Sequence, residues 1–117
     1  MLPRRYRLTR DNDFDRVHRN GRVSRGRLLF LKALPTANTD SRFGFLVGKK
    51  IHKSAVQRNR IRRRLRASAA ALLPRISPGY DVVVLVQPRI LTATQQEIQE
   101  ELQQVLERAG LIVKTSV

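Results

Sequence analysis

The sequence predicts an α+β fold, a single-domain α/β sandwich over residues 1–117 whose elements follow the order αββαβα around a mixed sheet. Three patterns lead there. The run Tyr80-Asp-Val-Val-Val-Leu-Val-Gln87 is β-branched and nearly continuously apolar, the composition of a central strand covered on both faces. Between Ser54 and Leu73, residues Ile61, Leu65, Ala69 and Leu72 recur at helical spacing and fall on one stripe. Thr94 and Glu97 form a capping box that opens a last helix, with Ile98, Leu102, Val105 and Leu106 facing inward. With 117 residues and 41% apolar content, the chain is one small domain. Such a domain buries roughly 65% of the surface its unfolded chain exposes.

The remaining elements follow in order. Thr9 is placed to cap a short helix from Arg10 to Arg19, and Asn20-Gly21 stops it. Phe14, Val17 and His18 stand at i, i+3 and i+4 and share a face of that helix. Leu28 to Leu34 reads as a strand, then a Pro-Thr-Ala-Asn-Thr-Asp turn, then a second strand from Arg42 to Val47. The two are expected to pair as a hairpin with a loose loop. Pro74 ends the basic helix, Pro78-Gly79 leads into the central strand, and Gly110 stops the last helix after Ala109. No internal repeat, low-complexity tract or linker interrupts this order.

Charge is distributed unevenly. The formal net charge is +15, yet residues 1–66 hold 20 Lys and Arg against 4 Asp, while residues 67–117 hold 4 against 5 acids. A protein made basic only for solubility would spread its charge, so the asymmetry argues for one surface facing a polyanion. The absence of cysteine excludes a disulfide scaffold and thiolate zinc sites, and fits a reducing cytosol. The start, Met-Leu-Pro-Arg-Arg-Tyr-Arg, lacks the apolar stretch of a signal peptide, and no apolar run approaches about 18 residues. A cytoplasmic protein with no membrane partner is expected.

The chemistry concentrates between Lys49 and Arg66, nine cationic side chains in eighteen residues. Arg62, Asn59, Arg66 and Arg63 crowd an arc apart from the apolar stripe, with Arg60 and Arg64 behind them. A disordered cationic arm needs no apolar stripe. A docked helix holds its guanidinium forks at fixed positions, where they match phosphates along a strand. Like charges at this spacing cost a few tenths of a kcal/mol per pair, a repulsion that a phosphate backbone offsets better than plain solvation of a basic face. Asn59 adds a neutral donor and acceptor for a base edge or a 2′-hydroxyl. Phe14 has two readings: an inward core residue, or a stacking platform for single-stranded bases beside Arg10, Arg16 and Arg19. His18 and His52 are 34 residues apart with no cysteine near, which gives no metal site. Asp11 and Asp15 at i, i+4 could hold a divalent ion, but Asp11 at a helix N-terminus is the simpler reading. Gly44-Phe-Leu-Val-Gly48-Lys49 is one residue short of a phosphate loop and lacks the following Ser or Thr. No catalytic constellation stands out, so no catalytic residue, metal site or cofactor is assigned to the protein alone.

The segment Gly48-Lys-Lys-Ile-His-Lys-Ser-Ala-Val-Gln-Arg-Asn-Arg-Ile-Arg-Arg-Arg-Leu-Arg66 resembles the signature of the bacterial ribonuclease P protein subunit: Lys-Lys, a spacer, then Ala-x-x-Arg-Asn-Arg-(Ile/Val)-(Lys/Arg)-Arg. The segments Arg10 to Val17, Gly21 to Arg27, Arg42 to Lys50 and Pro78 to Val84 are similar to further parts of that family, over roughly residues 8–112. The resemblance implies a small accessory subunit of a ribonucleoprotein that removes the 5′ leader of precursor tRNA. It implies a catalytic RNA that holds the Mg2+ ions, with no obligate protein partner evident. It also implies a left-handed βαβ crossover, an exception to the usual hand. Carried onto this chain, the RNA-binding residues are Lys49, Lys50, Lys53, Arg58, Asn59, Arg60, Arg62, Arg63 and Arg66. Phe14 and His18 fall in the leader cleft. Two positions depart from the family pattern: His18 stands where a second Phe is common, and Gly48 where Ser is frequent. Two rival readings remain, a structural RNA-binding protein of ribosomal type and a protein-only nuclease using Asp11, Asp13 and Asp15.

Overall fold

The structure is a computed structural model that describes residues 2–112; Met1 and residues 113–117, part of the expected 1–117 domain, lie outside the described residues. Its elements are α1 (Asp11–Asn20), β1 (Arg22–Arg25), β2 (Leu29–Pro35), β3 (Arg42–Leu46), α2 (Ala55–Leu72), β4 (Tyr80–Val86) and α3 (Gln95–Arg108), with short 3-10 turns at Arg4–Tyr6, Leu73–Arg75 and Pro88–Thr92. The order αββαβα is present, with one added strand. That strand is β1, to which the sequence reading gave no element; its four residues pair antiparallel with β2 from Arg22↔Ala33 to Arg25↔Phe30. Arg-Val-Ser-Arg is too short and too charged to show a strand pattern, and charge of this kind suits an edge.

The four strands lie in the order β1-β2-β4-β3. The hairpin expected between β2 and β3 does not form. β4 sits between them, antiparallel to β2 and parallel to β3. The reason is burial: β4 is apolar on both faces, so its most stable place is the sheet centre, and the tight hairpin is β1–β2 instead. Gly26 N–H donates to the Leu29 carbonyl across that turn at 2.9 Å. The parallel pair β3 and β4 is joined through α2, which makes a βαβ crossover.

The two faces of the sheet differ. Leu29, Leu31 and Ala33 of β2, Phe43 and Phe45 of β3, and Val82, Val84 and Val86 of β4 pack into one core with Ile61, Leu65, Ala69 and Leu72 of α2 and Ile98, Leu102, Val105 and Leu106 of α3. Leu2, Leu111 and Ile112 complete it. Burying one such Leu contributes about 1.5–3 kcal/mol. The opposite face meets α1 and the extended stretch before it, where Val17, Leu8 and Val83 form a small second core with Phe14, Leu34 and Leu85 partly buried against it. The sheet is therefore half open, and α1 forms one wall of the open side.

α1 begins one residue later than expected, and Thr9 does not cap it: the N-cap is Arg10, with no side-chain cap bond. Thr9 belongs to an extended stretch in which Leu8 N–H donates to the Phe43 carbonyl at 2.8 Å, along the free edge of β3. Asp11 and Asp13 in the first turn supply the favourable charge instead. Among the described residues no helix is long and apolar enough to cross a membrane.

Candidate nucleic-acid interface

The arginine helix is rigidly seated. Ser54 accepts from Gln57 N–H at its N-terminus, and Ile61, Leu65, Ser68, Ala69 and Leu72 are buried. The Ser68 hydroxyl donates to the Arg64 carbonyl and accepts from Gln95 Nε2 at 2.8 Å, tying α2 to α3. With its apolar stripe held, the helix keeps each arginine's backbone position fixed relative to the sheet.

The side-chain directions fall into three groups. Arg60 and Arg63 of α2, and Lys49, Lys50 and Lys53 just before it, are exposed. Arg58 turns back, and its Nη1 donates to the carbonyls of His52 (3.0 Å) and Lys53 (2.8 Å), bracing the turn before the helix. Arg62 and Arg66 are half-buried on the side nearer α1. Arg62 Nη1 donates to Asn59 Oδ1, and its Nη2 reaches the Val47 carbonyl at 3.4 Å. Asn59 thus uses its acceptor to aim Arg62 and keeps its amide N–H groups for a ligand. The Arg66 pKa is lowered, first by burial and then by Arg7 and Arg62, which marks a pocket of concentrated positive potential. Arg64 points elsewhere, with Nη1 3.4 Å from the Ala93 carbonyl.

Phe14 meets this group. It lies half-buried against Gly44, where an added Cβ would come within 2.3 Å of its Cε1 atom. A concavity of about 340 Å³ is lined by Phe14, Gly44, Arg7, Asn59, Arg62 and Arg66, among others. The sequence treats the aromatic helix and the arginine helix as separate surfaces; the fold brings them to one. Arg7 and Gly44 were missed. Gly44 had a signal, a lone small residue between two Phe in a strand.

One turn on from Phe14, His18 is exposed, with Nδ1 2.9 Å from Lys32 Nζ. Beyond it the open sheet face carries Val23 and Leu46, 41% and 45% exposed, and Phe30 with the Arg25 guanidinium 5.8 Å from its ring centroid. Single-stranded bases stack on surfaces of this kind, aromatic rings interleaved with cations.

An ion network holds α1 in place. Asp81 is fully buried in β4 and accepts two bonds from Arg42, at 2.9 and 2.8 Å, and one from Arg16 at 3.3 Å. Asp13 pairs with Arg16 at 2.8 Å and lies 3.5 Å from Arg42. The Arg42 pKa is raised by its hydrogen bond to Asp81, against the effect of burial. Sequence reasoning missed Asp81 and Arg42, although one acid in an apolar strand was a signal of a buried pair. Asp13 is bound into this network, and among the described residues no group of acids or histidines gathers as a metal site.

Two further concavities differ in charge. One, of about 550 Å³, gathers Arg4, Arg5, Arg7, Arg10, Arg16 and Arg42 and extends the cationic side past α1. The other, of about 530 Å³, lies beside α3, where Glu97, Glu100 and Glu101 face Arg27 and Arg89 in a lining of mixed charge.

The sequence matches the Ribonuclease P family over residues 2–110. A ribonuclease P protein component of Roseiflexus castenholzii is 38% identical over 112 residues, covering 95% of this chain and 91% of the relative. One from Synechocystis is 37% identical, covering 95% of this chain and 90% of the relative. Among solved structures, a Staphylococcus aureus RNase P protein superimposes with a TM-score of 0.83 at 27% identity, over 92% of this chain and 97% of that one. A match of this breadth, on a chain whose arginine helix and half-open sheet are built as described, leaves one assignment: the chain belongs to the Ribonuclease P family.

Proposed function

We propose that this chain is the protein subunit of a cytoplasmic ribonuclease P, which removes the 5′ leader of precursor tRNA. In this reading it binds a catalytic RNA through the exposed face of α2 and the lysines before it, while the leader lies on the open sheet beside α1. Hydrolysis and the Mg2+ ions belong to the RNA. The chain contributes binding and orientation: Arg60, Arg63, Lys49, Lys50 and Lys53 meet phosphates, Arg62 and Arg66 are aimed into the cleft, and Phe14 offers its ring to a base.

The observation that carries this reading is the shared concavity of Phe14, Asn59, Arg62 and Arg66. A ribosomal type of RNA-binding protein needs no aromatic groove beside its arginine helix. A protein-only nuclease needs free carboxylates, and Asp13 is engaged by Arg16 and Arg42.

Reconstitution tests it. Added to a bacterial ribonuclease P RNA at low magnesium, the protein should stimulate cleavage of precursor tRNA, and without RNA it should cleave nothing. No stimulation, or sustained cleavage by the protein alone, would overturn the proposal. Phe14→Ala should weaken capture of leader-bearing precursor by roughly 5- to 150-fold, the loss of one stacked base, and leave leaderless tRNA unaffected. An equal loss for both substrates, with a large fall in melting temperature, would assign Phe14 to packing instead.

A further inference from the structure

We infer that the concavity ringed by Arg4, Arg5, Arg7, Arg10, Arg16 and Arg42 is a second compartment of the leader track, which holds ribose-phosphate and ignores the bases. The inference rests on the leader-cleft reading above and adds where a longer leader goes.

The two compartments are continuous. Arg7 and Thr9 line both this concavity, of about 550 Å³, and the one that holds Phe14, Arg62 and Arg66. The Phe14 compartment abuts α2, whose outer face meets the catalytic RNA in that reading. No residue of α2 lines the second compartment. A strand that leaves the Phe14 ring past Arg7 therefore enters it with nucleotides farther from the scissile bond.

Its charge is not consumed by the fold. Arg16 and Arg42 are matched by Asp13 and Asp81. The other four arginines have no carboxylate partner among the described residues. Arg5 reaches only the Tyr6 hydroxyl at 2.7 Å, and Arg7 spends Nε on the Leu2 carbonyl at 2.8 Å. Guanidinium groups gathered without acids repel one another. A phosphate strand relieves that repulsion and accepts paired hydrogen bonds from their forks.

The backbone that carries these arginines is pinned. Leu2 is fully buried and Leu8 is 5% exposed, so the chain is anchored on both sides of Arg4 and Arg7. Between the anchors a 3-10 turn closes, with Tyr6 N–H on the Pro3 carbonyl and Arg7 N–H on the Arg4 carbonyl, each at 3.0 Å. A loose cationic arm would lose backbone entropy on binding, and this stretch has already lost it on folding.

The lining accounts for the indifference to bases. It holds arginines, Thr9, Asn38 and Asp13, with no aromatic ring and no aliphatic side chain. Bases need a ring to stack on, whereas phosphates need only cations and donors.

The test uses the reconstituted holoenzyme and precursor tRNAs whose leaders are lengthened one nucleotide at a time. With the wild type, affinity should rise in two stages. The second stage should be the same for distal U and distal A tracts and should vanish when the distal linkages are uncharged methylphosphonates. It should also shrink by roughly 2- to 3-fold per phosphate contact as salt rises from about 50 to 200 mM. Arg4→Gln with Arg5→Gln should remove most of the second gain. The first gain, and affinity for leaderless tRNA and for the catalytic RNA, should stay as they are. Arg7 is left in place because the Phe14 compartment shares it. Both replaced side chains are exposed, and a melting curve checks the fold. Methylphosphonate leaders on the wild type decide the question without any variant. No gain beyond the first stage, or a second gain undiminished by the double variant or by neutral linkages, would overturn the inference and leave the cleft standing. Weaker binding of the catalytic RNA by the double variant would overturn it too and assign these arginines to that RNA. Equal affinity for leader-bearing and leaderless tRNA at every length would instead overturn the cleft reading on which it rests.

Discussion

α2 and α3 lie side by side on the same face of the sheet, each with a buried apolar stripe, and they use charge in opposite ways. α2 carries six arginines and no acid between Ala55 and Leu72. α3 carries four glutamates, and at least three are occupied inside the fold. Glu97 closes a capping box with Thr94. Glu100 accepts from Gln96 Nε2 at 3.0 Å. Glu101 reaches across to β1–β2 and accepts the backbone N–H groups of Arg27, Leu28 and Leu29, at 3.1, 2.6 and 2.9 Å. Arg60 and Arg63 of α2 end in solvent. The contrast separates charge that builds the fold from charge held ready for a partner, and only the second kind marks a binding surface.

The largest effect should come from what the helices share. Leu65 in α2 and Leu102 in α3 are both fully buried. Leu65→Asp and Leu102→Asp each bury an unpaired carboxylate, which costs several kcal/mol. Melting temperature should collapse in both variants, with RNA binding lost as a consequence. A variant that melts normally would show that its helix is not docked, and for α2 that would remove the rigid platform.

The helices part company when their charges are removed. Glu101→Ala leaves three N–H groups without their acceptor, two of them partly buried, and should cost about 1–3 kcal/mol of stability. The salt dependence of RNA binding should hardly change. Arg60→Gln with Arg63→Gln should do the reverse. Stability holds or rises slightly as like charges are removed, and the log–log salt slope of RNA binding becomes shallower by about 0.7–0.9 for each lost phosphate contact. Denaturant melts and a salt titration of both proteins read the two effects separately. An unchanged slope in the arginine variant would place the RNA on another face.

This division also explains what was legible in the sequence. The stripe of α2, the apolar run of β4 and the capping box of α3 are patterns within one element, and all three appear as read. The arginine cluster was legible for the same reason. What the sequence concealed was decided between distant segments. β4 displaced the expected β2–β3 hairpin because a strand apolar on both faces competes for the sheet centre. Asp81 finds Arg42 across 39 residues and Arg16 across 65, and no local pattern announces such a pair. Asn59 looked like a base reader, yet its carbonyl serves Arg62, a contact set by side-chain direction rather than spacing. That Phe14 and Arg66 share a concavity depends on β3 passing between them with a glycine at position 44.

The smallest effect isolates the caps, where the two helices differ by one charge. Both begin with a hydroxyl residue that accepts from the third helical N–H, Ser54 from Gln57 and Thr94 from Glu97. In α3 the third residue is an acid whose Oε1 accepts the Thr94 backbone N–H at 2.8 Å, whereas in α2 it is the neutral Gln57. The Glu97 pKa is lowered below the ordinary value, first by the Thr94 backbone N–H and then by the Thr94 hydroxyl, against slight desolvation. A carboxylate depressed in the folded state contributes stability that is fully present above its unfolded value, near 4.3, and is lost as pH falls through the lower folded value. Melting temperatures of the wild type and Glu97→Gln should therefore differ most above about pH 5 and converge as pH falls toward 3. Gln57→Glu, which gives α2 the same acid, should open a gap of the same sign over the same window. A wild-type–Glu97→Gln gap that stays constant down to pH 3 would show that the cap of α3 works by shape alone, and the two helices would then begin in the same way.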